Sequence, residues 1–152
     1  MLKPVKKTRA GKAAGSFAIV ASSYNARYVD GMLTAAVREL KRSGAKVQVI
    51  RVPGAYEIPV VAAKLASSSR PVAIICLGII LRGETTHAQH IGEAVSQALM
   101  QIQITHGVPV IHEVLLLENK QQAEARCLDP KHNRGVEAAQ TALEMARVMA
   151  RI

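Results

Sequence analysis

Residues 72–77 (VAIICL) constrain the fold more than any other part of the chain. All six are apolar, so a strand built from them has no face to give to water. Such a strand belongs at the centre of a parallel sheet that helices cover on both sides. Apolar residues continue to Leu81, but the run is about half of the roughly 20 residues that span a bilayer, and it reads as core.

The flanking sequence alternates strand and helix signals. Residues 16–21 (SFAIVA) are apolar and partly β-branched, and they end in the polar cluster Ser22-Ser23-Tyr24-Asn25, which marks a strand followed by a loop. Val29, Met32, Leu33, Ala36, Val37 and Leu40 then recur at three- and four-residue steps until Gly44, the pattern of an amphipathic helix. Residues 47–52 alternate as a second strand and run into Pro53-Gly54-Ala55. A helical pattern follows over 57–67, with Pro59 tolerated in its first turn. Beyond the central strand, the spacing predicts a loop at 78–86, a long helix at 87–105 and a strand at 108–115. A short helix at 120–125 and a final helix at 135–149 complete the chain. Repeated β-α order predicts an open, three-layer α/β sheet whose loops gather at the strand C-termini. Ligands bind at that edge.

A length of 152 residues fits one domain. Aromatic residues make up only 3% and Trp is absent, so the core must come from Ala, Val, Ile and Leu. The same scarcity argues against a general nucleic-acid binder that stacks bases. The net charge of +9 is concentrated at one end: Lys3, Lys6, Lys7, Arg9 and Lys12 carry five of those charges with no acid among them. Residues 1–15 therefore read as a flexible basic arm, without the apolar centre of a secretory signal, and 16–152 as the folded domain. Cys76 and Cys127 lie far apart and match neither a zinc pattern nor a disulfide framework, which fits a reduced cytoplasm.

Candidate chemistry falls in the loops after the strands. Arg82-Gly83-Glu84-Thr85-Thr86-His87 leads into a helix, whose start offers unpaired amides and a positive dipole end to an anion such as phosphate. Thr85 or Thr86 reads equally well as a plain N-cap. His87 opens that helix, where the dipole favours the neutral ring, which suits it to take up and pass on a proton. His90 follows three residues later, but no Glu or Cys stands at metal-ligand spacing, and it reads as a surface or interface residue. Glu57 is either an acceptor for ligand hydroxyls or a solvated first-turn acid. Tyr24 is a stacking candidate. Lys131, His132 and Arg134 form a basic, turn-rich segment before the last helix, and Arg126 ends the short one. The residues by themselves lead to an α/β protein that handles a small anionic ligand.

Four segments carry a resemblance: VPGAYEIP (52–59), CLGIILRGETTH (76–87), GVPVI (107–111) and NRGVEAAQTALEMA (133–146). In this order and spacing they closely resemble the lumazine synthase family of riboflavin biosynthesis, from about Phe17 to the end of the chain. The resemblance implies a flavodoxin-like three-layer α/β/α fold with a four-stranded parallel sheet. It also implies a transferase that condenses 5-amino-6-(D-ribitylamino)uracil with 3,4-dihydroxy-2-butanone 4-phosphate, and no metal or organic cofactor. By motif, Tyr24 takes the place of the aromatic that stacks on the pyrimidine, and Ala55, Tyr56 and Glu57 the place of the segment that binds the uracil and ribityl groups. Ile79, Ile80 and Leu81 would line the ring pocket. Glu84 and Thr85 match positions whose amides cradle the phosphate, His87 the proton-transfer histidine, and Arg126 the phosphate-binding arginine of the opposite wall. Arg134 stands where the family usually has lysine, and His112 where it commonly has a phenylalanine from a neighbouring subunit.

Other positions depart from the family. Leu116 and Leu117 replace hydroxyl residues, and Cys127-Leu128-Asp129-Pro130 replaces a glycine-bearing turn. The resemblance further implies a cleft shared between subunits of a pentamer, or of a shell of pentamers, and a functional link to riboflavin synthase. No membrane or nucleic-acid partner is implied. A non-catalytic shell or scaffold with the same fold is the alternative reading, and nucleic-acid binding through the basic arm a third.

Overall fold

The computed structural model describes residues 2–6 and 15–152. Its elements are β1 (Ser16–Ser22), α1 (Ala26–Arg42), β2 (Lys46–Val52), a single 3-10 turn (Ala55–Glu57) and α2 (Ile58–Ser67). They continue with β3 (Ala73–Leu81), α3 (His87–His106), β4 (Val110–Leu117), α4 (Lys120–Cys127) and α5 (Arg134–Ala150). The strands form one sheet in the order β2-β1-β3-β4, and all three pairings are parallel.

Right-handed crossovers decide which helix covers which face. The chain leaves β1 for β2 in one direction and then returns across β1 to β3 and β4, so α1 falls on one face and α2 and α3 on the other. α4 and α5 join α1. The strand period follows: Phe17, Ile19 and Ala21 of β1 with Ile75, Leu77 and Ile79 of β3 pack beneath α1, α4 and α5. Ala18, Val20, Ile74 and Cys76 face α2 and α3. Both central strands are thus buried on both faces, as the apolar run at 72–77 requires.

The three helices of the first face meet closely. Asn133 caps α5, accepting from the Gly135 N–H at 2.8 Å, and its amide donates to the carbonyls of Cys127 (2.7 Å) and Gly31 (3.2 Å). One buried side chain thereby ties α1, α4 and α5 together.

Several boundaries differ from expectation. β3 does not stop before Gly78 but runs to Leu81, so the loop at 78–86 shrinks to 82–86. Gly78 is a strand residue: a Cβ there would stand 3.2 Å from both Ile58 Cδ1 and Val114 Cγ1, and the glycine makes room for α2 and β4. β4 begins two residues later than expected, because the Pro109 carbonyl accepts from Ile74 N–H as the chain turns into the sheet. The pattern at 57–67 opens with the 3-10 turn before α2, and the helix expected at 120–125 extends to Cys127. No helix among the described residues is long and apolar enough to cross a membrane. Of the basic arm, residues 1 and 7–14 lie outside the described residues. Within 2–6, Val5 N–H donates to the Lys131 carbonyl and the Lys6 carbonyl accepts from Gln140, both at 2.8 Å.

Candidate active site

The order in which strands join the sheet reverses between β1 and β3, and the crevice outside their C-terminal ends is where an open α/β sheet binds ligands. A cleft of about 860 Å³ lies there. Tyr24 and Asn25 line it from the loop after β1, Gly54 to Glu57 from the turn after β2, and Ile79, Ile80 and Leu81 from the end of β3. Gly83, Thr85, His87, Ala88, His90, Ile91 and Ala94 close it from the start of α3.

Short backbone bonds fix these loops. Ser23 and Tyr24 donate to the carbonyls of Val52 and Pro53 at 2.7 and 2.9 Å, prolonging the β1–β2 pairing into the cleft. Asn25 adopts the left-handed conformation, with φ 57°, and its amide donates to the Ile79 carbonyl at 2.9 Å. Asparagine is among the few side chains that tolerate that backbone. Glu57 Oε2 accepts from Gly54 N–H at 2.9 Å and so closes the 3-10 turn, leaving Oε1 without a partner among the described residues. One oxygen thus holds the turn, and the other is available.

Thr86 occupies the N-cap of α3, yet its side chain does not cap the helix; it bonds His90 Nε2 at 3.3 Å. Thr85 Oγ1 accepts from His87 N–H at 3.3 Å. The two threonines thus shape the loop around the helix start. The rings of Tyr24 and Tyr56 are 74% and 65% exposed, apolar surface that a lone chain leaves bare. Neither cysteine lines the cleft, and burial pushes both thiols up to about 12, so no sulfur nucleophile operates at neutral pH.

Other expected site residues stand elsewhere on the chain. Glu84 is exposed in the same loop but outside the lining. His112 and Arg134 line a second cleft of about 690 Å³ along β4, together with Leu116. Arg126 lines neither; it is half-buried at the end of α4, where one guanidinium nitrogen donates to the Gln122 carbonyl at 3.4 Å. A single chain therefore brings Tyr24, Ala55, Tyr56, Glu57, Ile79, Ile80, Leu81, Thr85 and His87 together and leaves Arg126, His112 and Arg134 apart from them.

The loop pair Tyr24-Asn25 lines the cleft, Asn25 from a left-handed backbone. His90, expected as a surface or interface residue, is exposed and also lines the cleft. The sequence analysis overlooked Glu113, the one acid inside the apolar strand β4. Glu113 is 6% exposed and bonds Arg134 Nε at 3.4 Å, while Arg134 also pairs with Glu137 at 2.8 Å. Burial pushes its carboxyl up to about 7, against the pull of the Arg134 guanidinium and with the help of Glu137.

A pKa raised in the folded state adds stability below the ordinary carboxylate range that is lost as pH rises through about 7. Glu113→Gln is expected to gain on the natural protein by about 3 kcal/mol between pH 4.5 and pH 8, at 1.36 kcal/mol per pKa unit. Urea midpoints at fixed subunit concentration measure this, and parallel pH profiles for the two proteins would refute it.

An open switch-point cleft of ligand size, with exposed aromatic residues, an available carboxylate oxygen and a histidine at a helix start, marks a doubly wound α/β protein with a site for small molecules. Comparison with known proteins agrees. Residues 14–150 match the family described as 6,7-dimethyl-8-ribityllumazine synthase. Proteins of that name from Stenotrophomonas maltophilia (strain R551-3) and Xanthomonas oryzae pv. oryzae (strain PXO99A) are each 43% identical over 136 residues, 88% of either chain. Another, from Xanthomonas campestris pv. campestris (strain B100), is 40% identical over the same length and coverage. The chain belongs to the 6,7-dimethyl-8-ribityllumazine synthase family.

Proposed function

We propose that this chain condenses 5-amino-6-(D-ribitylamino)uracil with 3,4-dihydroxy-2-butanone 4-phosphate to give 6,7-dimethyl-8-ribityllumazine, phosphate and water, in the cytoplasm. The observation that carries the reading is the switch-point cleft, which gathers the matched residues from three loops around His87. In the first step the uracil amino group attacks the butanone carbonyl and water leaves to form an imine. Loss of the C3 proton then expels phosphate and leaves an enol that tautomerises to a ketone. The ribitylamino nitrogen attacks that carbonyl and closes the ring as a second water leaves. Each step moves a proton, and His87 at the cleft wall is the group to carry it. Tyr24 stacks on the pyrimidine, Glu57 accepts ribityl hydroxyls, and Ile79, Ile80 and Leu81 flank the ring. Glu84 and Thr85 contribute amides to the phosphate at the start of α3. Holding two substrates side by side supplies much of the remaining acceleration.

The separation of Arg126, His112 and Arg134 from this cleft supports a site completed by a neighbouring subunit, with a pentamer as the smallest working unit. Exposed apolar side chains on the α2–α3 face, Val60 (70%), Met100 (57%) and Ile104 (68%), fit such contacts. Product would pass to the enzyme that dismutates it to riboflavin.

Assembled protein given both substrates should form a product with lumazine absorbance; no turnover at any assembled concentration would defeat the proposal and favour a scaffold. Among the described residues Arg126 has only a carbonyl partner, so its charge is available to an anion. Arg126→Ala should raise KM for the phosphorylated substrate roughly 10- to 100-fold, the scale of a charged hydrogen bond. An unaltered KM would remove Arg126 from phosphate binding.

A further inference from the structure

Ser96 reaches from α3 to β4 and meets His112, with Oγ 2.7 Å from the ring Nε2. Its hydroxyl proton goes to the Gly92 carbonyl, one turn earlier, at 2.8 Å. Oγ is then left to accept from the imidazole. On the other side of the ring, Nδ1 lies 3.1 Å from Val114 N and accepts its proton. A nitrogen that accepts carries no hydrogen, so the neutral ring must hold its single proton on Nε2, facing Ser96. The chain of donors runs in one order only: Val114 N–H to Nδ1, Nε2–H to Ser96, Ser96 O–H to Gly92. Neither ring nitrogen is left for a ligand. To the second cleft His112 offers only its ring face and C–H edge.

We propose that Ser96 is a positioning residue which, with the Val114 N–H, fixes His112 as a neutral flat wall against which the pyrimidine substrate packs. The inference rests on the reaction proposed above and takes His112 out of proton transfer. Acid opposes the arrangement, because a proton on Nδ1 would face the Val114 N–H, and partial burial already holds the ring below its ordinary value. Arg82, Glu93, Glu113 and Arg134 are the charged groups that line its cleft, Glu113 buried and paired with Arg134, and Cys76 is its register partner on β3.

Steady-state kinetics of the full-length protein, Ser96→Ala, His112→Phe and the double variant, at matched subunit concentration, test this. Ser96→Ala should raise KM for the ribitylaminouracil about 3- to 10-fold, the scale of one hydrogen bond, and leave KM for the butanone phosphate within about two-fold. A phenyl ring needs no polar anchor, so adding Ser96→Ala to His112→Phe should leave KM where His112→Phe alone sets it. In the natural protein KM for the pyrimidine should rise toward acid pH, and in His112→Phe it should stay flat. An equal effect of Ser96→Ala in both backgrounds, or none in either, overturns the proposal. Nitrogen NMR of sedimented, histidine-labelled protein reads the ring without turnover, and the His112→Phe spectrum identifies its signals. An Nε2-protonated neutral ring that Ser96→Ala perturbs supports the link. A charged or Nδ1-protonated ring at neutral pH overturns it. Absence of turnover alongside the expected signature would count against the reaction and not against the Ser96–His112 link.

Discussion

Gly135→Ala is expected to destabilise the protein by about 3 kcal/mol or more, a large share of the roughly 5–15 kcal/mol that holds a domain of ordinary stability together. A Cβ at Gly135 would stand 2.0 Å from the Met32 carbonyl oxygen and 2.6 Å from its carbonyl carbon. These are backbone atoms in the middle of α1, so no side-chain rotation relieves the clash, and the two helices must separate. Separation would strip contacts from Met32 and Ala139, both fully buried. It would also pull apart the Asn133 junction, whose amide holds α1 and the end of α4. Gly83 provides the contrast, because a Cβ there meets nothing within 4 Å. Gly83→Ala should change stability by no more than about 0.5 kcal/mol. Urea midpoints of both variants at one subunit concentration decide the matter, and a Gly135→Ala midpoint equal to the natural one would sink the packing argument.

The same glycines show what the sequence could and could not disclose. A strand buried on both faces announces itself, because six consecutive apolar residues admit few other folds, and β3 lies where that reasoning put it. Gly78 reads locally as a terminator, since glycine weakens strands, but its role is set by Ile58 and Val114, distant in sequence and adjacent only after folding. Elements are a matter of near neighbours; a glycine that admits another element is a matter of remote ones. The cleft was legible to the extent that topology decided it, since any doubly wound sheet presents its loops at one edge. Glu113 was not, because an acid in an apolar strand becomes intelligible only when Arg134, 21 residues on, is found beside it. Nor could spacing reveal that His87 and Arg126 belong to separate surfaces of one chain. The meeting proposed for them requires a second copy, whose position no periodicity within one sequence encodes.

His87→Ala should lower kcat by roughly 10²- to 10⁴-fold, the range for loss of a positioned acid–base group. Three other histidines have ring nitrogens already engaged: His90 bonds Thr86, His112 bonds Ser96 and Val114, and His132 bonds Asp129. The ring of His87 has no hydrogen-bond partner among the described residues, and it stands at the cleft wall with its backbone held by Thr85. His106 stands at the opposite end of α3 and outside the cleft, so His87 is the histidine of the cleft with both ring nitrogens open to substrate. The ring lies at the start of α3, next to the amides proposed to grip phosphate, so a proton delivered there reaches the bond that breaks when phosphate leaves. KM for either substrate should move little, because a group that acts on the departing proton binds ground state and transition state differently. His90→Ala, one turn along the same wall, should leave kcat within about ten-fold, as expected for loss of a neutral hydrogen bond near the site. If His87→Ala turned over at the natural rate, or His90→Ala took the larger loss, the proton would travel through a different residue.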